Sequence, residues 1–266
     1  MTACPRHALV LAGSRGPTDP VARAAGLPHK ALAPIDGVPM LERVVSALFQ
    51  APGIEHVILS TDQALIEHGL GKNLTQQIEG GRITLATPKP SPSESVAHVL
   101  EGLTEGAAFP LLVTTADHPL LTGAMVEHFC GFAPDHADLV IGLAEAEVIK
   151  QRYPDAIRTF YRFKGRGYSG CNLFLMNTPK AHRVVDFWRE MERHRKRPWR
   201  LVAAVGVVQL LRFVIGRLCL EDALRHLSGK IGAEIGMVAM PFAEAAIDVD
   251  KPGDLDLAEA ILRARG

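Results

Sequence analysis

Cysteine is scarce in this chain, and the four present, Cys4, Cys130, Cys171 and Cys219, lie far apart. They form no C-x-x-C pair, which argues against a zinc knuckle and a dithiol redox motif and predicts reduced, mostly buried thiols. Net charge is missing as well. Lys plus Arg and Asp plus Glu both number 29, so there is no global positive field to gather nucleic acid by counterion release, and no nucleic-acid partner is expected. The first residues, Met1 to Val10, lack the charged flank, long apolar run and small-residue cleavage site of a signal peptide, which predicts a cytoplasmic protein. No H-E-x-x-H occurs among the 11 histidines, so His29, His98 and His118 read as ordinary loop or surface residues. What is there is 266 residues, 47% hydrophobic and 22% charged. That suits one large α/β domain, or a core domain carrying a sizeable insertion.

Short apolar runs alternate with helical patterns from the start, the βαβ signature of a mainly parallel sheet covered on both faces. Strands are predicted at His7 to Leu11, His56 to Ser60, Ile83 to Thr87, Pro110 to Thr115 and Leu139 to Leu143. A loop punctuated by Gly and Pro is expected from Gly13 to His29. Helices are predicted at Met40 to Phe49, behind Pro39, and at Ser95 to Leu103, behind the turn and cap chemistry of Pro92 and Ser93. From Arg158 the pattern changes. Thr159 to Phe163 and Asn172 to Met176 read as strands around a Gly-rich turn, and helices are expected at Ala181 to His194 and Pro198 to His226. A last strand, Gly236 to Met240, leads through Asp248-Val249-Asp250 to a helix from Gly253 to Ala264. The whole reads as a single domain, 1–266, with a helical insertion at about 179–230.

The segment Leu11-Ala12-Gly13-Ser14-Arg15-Gly16 puts small residues after a strand, where backbone N–H groups can approach a polyphosphate. It contains no G-x-x-x-x-G-K-[ST], and Gly13 and Gly16 do not make G-x-G-x-x-G, so neither a motor ATPase nor a dinucleotide dehydrogenase is supported. Combined with Pro28-His29-Lys30-Ala31-Leu32 and Ile35-Asp36-Gly37-Val38-Pro39-Met40-Leu41, it resembles the NTP transferases typified by molybdenum cofactor guanylyltransferase and methylerythritol-phosphate cytidylyltransferase. That resemblance implies a Rossmann-like three-layer α/β/α sandwich of the nucleotide-diphospho-sugar transferase type. It also implies a Mg²⁺-dependent transfer of NMP from an NTP, CTP or GTP favoured, to a phosphorylated small-molecule acceptor. By the same resemblance Leu11, Ala12, Gly13 and Ser14 form the nucleotide loop, and Arg15, with Arg23 as its alternative, reaches the phosphates with Lys30. Fixed cations there would stabilise charge spread over a transferring phosphoryl group. A solvated loop lysine is the structural alternative.

Leu111 to Thr115 is a buried strand that ends in Ala116-Asp117-His118-Pro119, and Asp117 stands where open α/β sheets bind ligands. It resembles the family's G-D-x-P element, whose Asp binds magnesium; a helix-capping Asp is the structural alternative. Asp248-Val249-Asp250-Lys251-Pro252-Gly253-Asp254 resembles the family's C-terminal D-I-D-T-P-E-D-L element. Asp248 and Asp250 fall on one side of an extended segment. Asp248 is taken as the second metal carboxylate, because Asp250 is close enough to the helix start to be its cap, and Asp254 is read as structural. Ser95, within Ser93-Glu94-Ser95-Val96-Ala97, resembles a stretch that borders the nucleobase, with a simple helix N-terminus as the structural alternative. Tyr168-Ser169-Gly170-Cys171-Asn172 resembles a segment that borders the acceptor, which implies Gly170 and Asn172, with Asp250, at the acceptor.

Two rivals stand beside this reading: a glycosyltransferase using a nucleotide-sugar, disfavoured because no D-x-D sits at the middle strand, and a non-catalytic nucleotide-binding or scaffold protein. The stretch Leu201 to Leu220 is apolar except for Gln209, Arg212 and Arg217 and needs a dry partner. Burial against the sheet is preferred, with a homodimer interface and a peripheral membrane or lipid contact as alternatives.

Overall fold

A computed structural model describes residues 5–14, 16–103, 109–194 and 206–265. The predicted alternation of short apolar runs and helices is realised as a mixed, mostly parallel sheet flanked by helices. In chain order the strands are β1 (His7–Ala12), β2 (Pro34–Ile35), β3 (Val38–Pro39), β4 (His56–Thr61), β5 (Ile83–Ala86), β6 (Leu111–Thr115), β7 (Leu139–Glu145), β8 (Tyr161–Phe163), β9 (Arg166–Met176) and β10 (Ile235–Ala239). The main sheet runs β10-β7-β9-β6-β1-β4-β5, with β8 paired to β9 and β2-β3 a separate ribbon. Among the described residues, only β9 and β8 run against their neighbours in the main sheet.

The first half supplies α1 (Pro20–Ala25), α2 (Met40–Gln50), α3 (Gln63–His68), α4 (Lys72–Glu79), α5 (Pro92–Gly102), α6 (Gly123–Gly131) and α7 (Ala146–Arg152). The second half adds α8 (Ala181–His194), α9 (Val207–Val214), α10 (Leu220–Ile231) and α11 (Pro252–Arg265). Parallel strands covered on both faces must be apolar throughout rather than alternating, and Ala8, Leu9 and Val10 of β1 are all fully buried. One face, through Ala8, Val10, Leu59 and Leu112, packs on Leu41, Val45 and Leu48 of α2 and Phe129 of α6. The other, through Leu9, Ile58 and Val113, packs on Val96 and Leu100 of α5 and Val185 of α8. A third cluster joins Val21, Ile35, Met40 and Leu120 to Ile247, Val249 and Ile261, and so ties the C-terminal acidic turn to the strand ends.

The loop expected from Gly13 to His29 contains α1. Asp19 caps it, accepting from Val21 N at 2.9 Å and Ala22 N at 3.1 Å, and Pro20 opens its first turn. This is the favoured order of cap and proline. The helix expected at Ser95 begins at Pro92 because Ser91, not Ser93, is the N-cap. The Gly-rich turn expected between two strands is shorter than predicted. β9 starts at Arg166, so Gly167 and Gly170 lie within a strand, and only Lys164 and Gly165, both at positive φ, make the turn of the β8–β9 hairpin. Gly165, Gly167 and Gly170 have the spacing of G-x-G-x-x-G, yet a hairpin offers no helix N-terminus to a pyrophosphate.

The helix expected at Pro198 to His226 is not continuous. Residues 195–205 lie outside the described part, and beyond them come α9 and α10, separated around Gly216, whose φ of +68° breaks the helix. Burial of the apolar stretch against the sheet is overturned for α9: none of its residues is buried. Gln209 and Arg212 interrupt the apolar positions of α9 and Gly216 ends it, whereas Leu218 and Leu220 beyond it are buried. No helix among the described residues is long and apolar enough to cross a membrane.

Candidate functional site

The chain leaves β1 for β4 and β5 on one side and returns to β6 on the other, so the C-terminal ends of β1 and β6 frame the point at which the strand order reverses. Diverging connections open a crevice there. It holds a cleft of about 690 Å³ lined by Leu11, Ala12, Gly13, Ser14, Lys30, Ser95, Asp117 and Asp250. Arg189, Glu192 and Arg193 of α8 line it too, and no local motif marks them for that place. Arg15 lies outside the described residues. Arg23, its alternative, is exposed on α1 and is not among the residues lining the cleft.

Lys30 sits in a short helical turn held by His29. The Ala31 amide donates to His29 Nδ1 at 3.0 Å, so the proton must be on Nε2, which donates to Ala12 O at 2.9 Å. The expectation of an ordinary surface histidine is therefore corrected. His29 is fully buried, and burial pushes its pKa below the usual value against the opposing charge of Asp62. It ties the end of β1 to the lysine turn. His118 is corrected in the same way: burial lowers its pKa to about 4.

Lys30 Nζ lies 2.5 Å from Asp117 Oδ2 and 3.4 Å from Asp250 Oδ1. Burial works against its charge, but Asp117, then Asp250 and Asp19, outweigh that and hold its pKa above the ordinary lysine value. It is not a solvated loop lysine. Asp117 does not cap a helix either: Thr122 caps α6, and Asp117 Oδ1 is buried with no hydrogen-bond partner. The hydroxyls of Ser60 and Thr115, at the ends of β4 and β6 in the same cleft, are also buried and unpaired. Buried polar atoms are rarely left without partners, and here three belong to residues that line one cleft.

The acidic turn differs from expectation in its partners. Val249 N donates to Asp117 O at 2.8 Å, which stitches the turn to the end of β6. Asp254 accepts from Asp250 N and Lys251 N, each at 3.1 Å, so Asp254 performs the capping that had been the reason to set Asp250 aside. Asp250 is free to face Lys30. Asp248 instead meets Arg158 Nη1 at 2.6 Å and the Asn172 amide at 3.3 Å, and Arg158 also reaches Asp254 at 3.4 Å. Burial, then the charges of Asp250 and Asp117, raise the pKa of Asp248, with Arg158 opposing them. Arg158 is a partner of the acidic turn that sequence reasoning missed; Arg158, Asp248 and Asn172 are not among the residues lining the cleft.

Asn172 reaches Asp248 through a bulge. Between the pairs Ile141–Phe174 and Leu143–Gly170, β9 carries Cys171, Asn172 and Leu173 where β7 carries only Gly142. Bulges re-aim side chains beside sites, and Asn172 takes a φ of +50° there, which asparagine tolerates better than most residues. Gly170 is exposed on the same strand, one residue before the bulge. Ser95 lines the cleft, but its hydroxyl accepts from Lys89 N at 2.9 Å and donates to Ser91 O at 3.0 Å, so it shapes the loop ahead of α5. Ser93, fully buried behind that loop, donates to Glu192 of α8.

The model of the MobA-like NTP transferase domain matches residues 8–234. The chain belongs to that family. As an NTP transferase of this kind it is similar to a hypothetical transferase from Thermus thermophilus, with 29% identity and a TM-score of 0.78 over 96% of this chain and 100% of the other. Its fold is also that of a CMP-2-keto-3-deoxy-manno-octonic acid synthetase complexed with CTP, with 15% identity, a TM-score of 0.58 and 100% of both chains covered. A 4-diphosphocytidyl-2C-methyl-D-erythritol synthase from Anaerococcus prevotii shares it at 11% identity, a TM-score of 0.58, and 98% and 99% coverage. No match was found among curated proteins.

Proposed function

We propose that this NTP transferase joins the NMP of CTP or GTP to a phosphorylated small-molecule acceptor and releases pyrophosphate. The observation that carries the reading is the buried Lys30 ammonium against Asp117, at the mouth of the β1–β6 crevice, in a chain of the MobA-like family. The Gly13–Ser14 loop presents small residues to the phosphates. Ser14 accepts from Gly16 N at 2.8 Å, which fixes the loop's curvature.

The residues fit a magnesium ion. Asp117 Oδ1 is unpaired, Asp250 is half-exposed beside it, and Asp117, Asp250 and Asp19 bear on Lys30, the cation they share. Among the described residues no three His, Cys, Asp or Glu side chains converge to hold a metal by themselves. Mg²⁺ is typically held by one or two carboxylates with substrate phosphates and water. Asp117 and Asp250 would hold it, and once bound it neutralises phosphate charge.

The protein's own part is positioning and charge stabilisation. An acceptor phosphate oxygen forms a bond to the α-phosphorus as the bond to the bridging oxygen breaks, and pyrophosphate leaves with that electron pair. No protein base is needed, because a phosphate monoester is already largely dianionic at neutral pH. Lys30 stabilises charge on the transferring group. Asp248, oriented by Arg158 and Asn172, faces the acceptor side. On the opposite rim Ser95, Glu192 and Arg193 border the base.

The test is to incubate the pure protein with each NTP, Mg²⁺ and a panel of sugar and polyol phosphates, following pyrophosphate release and identifying nucleotide conjugates by mass spectrometry. The reading expects one NTP to stand out and the Lys30→Met variant to be inactive. Pyrophosphate release from no NTP, or equal release by the variant, would overturn it.

A further inference from the structure

The apolar face of α9 has no cover among the described residues. Val207, Val208, Leu211, Val214 and Ile215 are between 58% and 72% exposed. The helix is fixed beside the β8–β9 hairpin by Phe213, whose ring lies 5.3 Å from that of Phe163. That hairpin is basic and amphipathic, with Tyr161, Arg162, Lys164 and Arg166 exposed, and Arg217 is exposed just past the helix. Of the facing acids, Glu145 pairs with Arg166 at 3.4 Å and Asp222 with Arg212 at 3.1 Å, while the exposed Glu221 bears on Arg166, so all three act on arginines of this surface. Arg162, Lys164 and Arg217 make no ion pair among the described residues, so the surroundings of the apolar face carry an excess of positive charge.

The position in the fold is informative. Tyr168 of β9 pairs with Glu145, the last residue of β7, so the hairpin stands at the same edge of the sheet as the C-terminal ends of β6 and β7. The strand that continues from it carries Asn172.

We propose that α9 and the β8–β9 hairpin form a docking surface for an anionic membrane. The apolar face of α9 would enter the headgroup boundary, and Arg162, Lys164 and Arg217 would meet acidic lipid. An amphipathic helix flanked by cations binds such a surface through buried apolar area and charge together. With eight residues α9 lies on a bilayer and does not span it. A second copy is a poorer occupant. A two-fold interface matches a patch with itself, and here it would set one positively charged patch against another. Docking would hold the cleft edge of the sheet toward the lipid and requires no nucleotidyl transfer, so its failure and that of the proposed activity are separable.

The experiment is co-sedimentation of the full chain with phosphatidylcholine vesicles, with and without phosphatidylglycerol, alongside light scattering for mass. Wild type is expected to pellet with the acidic vesicles and to be released by salt. The double variants Val208→Glu with Leu211→Glu, and Arg162→Glu with Lys164→Glu, should each lower partitioning by at least about tenfold. Both should keep their melting temperature and their pyrophosphate release with soluble substrates. The milder Leu211→Ser change, expected to weaken binding in the same direction, guards against a folding defect. No vesicle binding by wild type, equal binding to both vesicle types, or a wild-type dimer that the glutamates turn into a monomer would each overturn the proposal.

Discussion

Replacing Lys30 by methionine keeps the length of the side chain and removes its charge, and its consequence can be worked from the geometry. Across the 2.5 Å to Asp117, attraction at an effective dielectric constant of about 20 is about 7 kcal/mol. Much of that only offsets the desolvation of two side chains that are 14% and 15% exposed. Asp250 adds little, because it is 54% exposed and solvent screens it. Removing one partner of such a pair leaves a buried charge uncompensated, so Lys30→Met should lower the unfolding free energy by about 3–5 kcal/mol. Asp117→Asn should cost less, about 1–3 kcal/mol, because the long stem of Lys30 can carry its ammonium toward water, whereas the short Asp117 side chain cannot move its carboxylate out. The double variant should then be far less damaged than the sum, with a coupling of about 2–3 kcal/mol. Urea unfolding of the four proteins in EDTA, followed by circular dichroism, measures the cycle. Additivity within about 0.5 kcal/mol would refute the argument that Lys30 and Asp117 act as one buried unit.

The carboxylates and the buried histidine of the same site can be tested separately. Asp117→Asn and Asp250→Asn should each cut kcat by about 10²-fold or more and raise the Mg²⁺ concentration for half-maximal pyrophosphate release. Asp248→Asn should leave that midpoint nearly unchanged, and an equal shift would return Asp248 to the metal site. His29 should make the protein acid-sensitive. Its folded pKa lies below the ordinary 6.5, so the stability it supports is complete above that value and is lost as pH falls below it. Protonation of Nδ1 forfeits the hydrogen bond from Ala31 N, a loss of about 1–3 kcal/mol. Urea unfolding at about pH 7 and about pH 5 should therefore show a steeper loss in wild type than in His29→Gln. Parallel losses would remove His29 as the cause.

Much of the architecture was legible in the sequence, because it rests on local and periodic signals. The apolar runs of β1, β4 and β6 had to be buried on both faces, and each has the length and composition of a parallel-sheet strand. The small residues after β1, the lysine turn and the Asp117 strand end indicated an NTP transferase, and each stands at the crevice. Lys30 could be nominated because Pro28-His29-Lys30 resembles the family's P-K element, and Asp117 because it ends a buried strand and resembles the family's G-D-x-P element.

Only the tertiary structure decided how those groups are partnered. Whether Asp248 or Asp250 faces Lys30 depends on Arg158, ninety positions from Asp248, and on Asp254 taking the helix-capping bonds. No spacing rule connects these residues, since side-chain alternation places Asp248 and Asp250 on one side without naming their neighbours. His29 was misread for the same reason: a histidine between Pro28 and Lys30 resembles a surface residue until β1 closes over it. The apolar stretch ending at Leu220 carried a helical period but no instruction about what would cover it. Periodicity reports that a face is apolar, while the sheet's already filled cover of α5 and α8 on one side, and α2 and α6 on the other, determines that α9 stays outside.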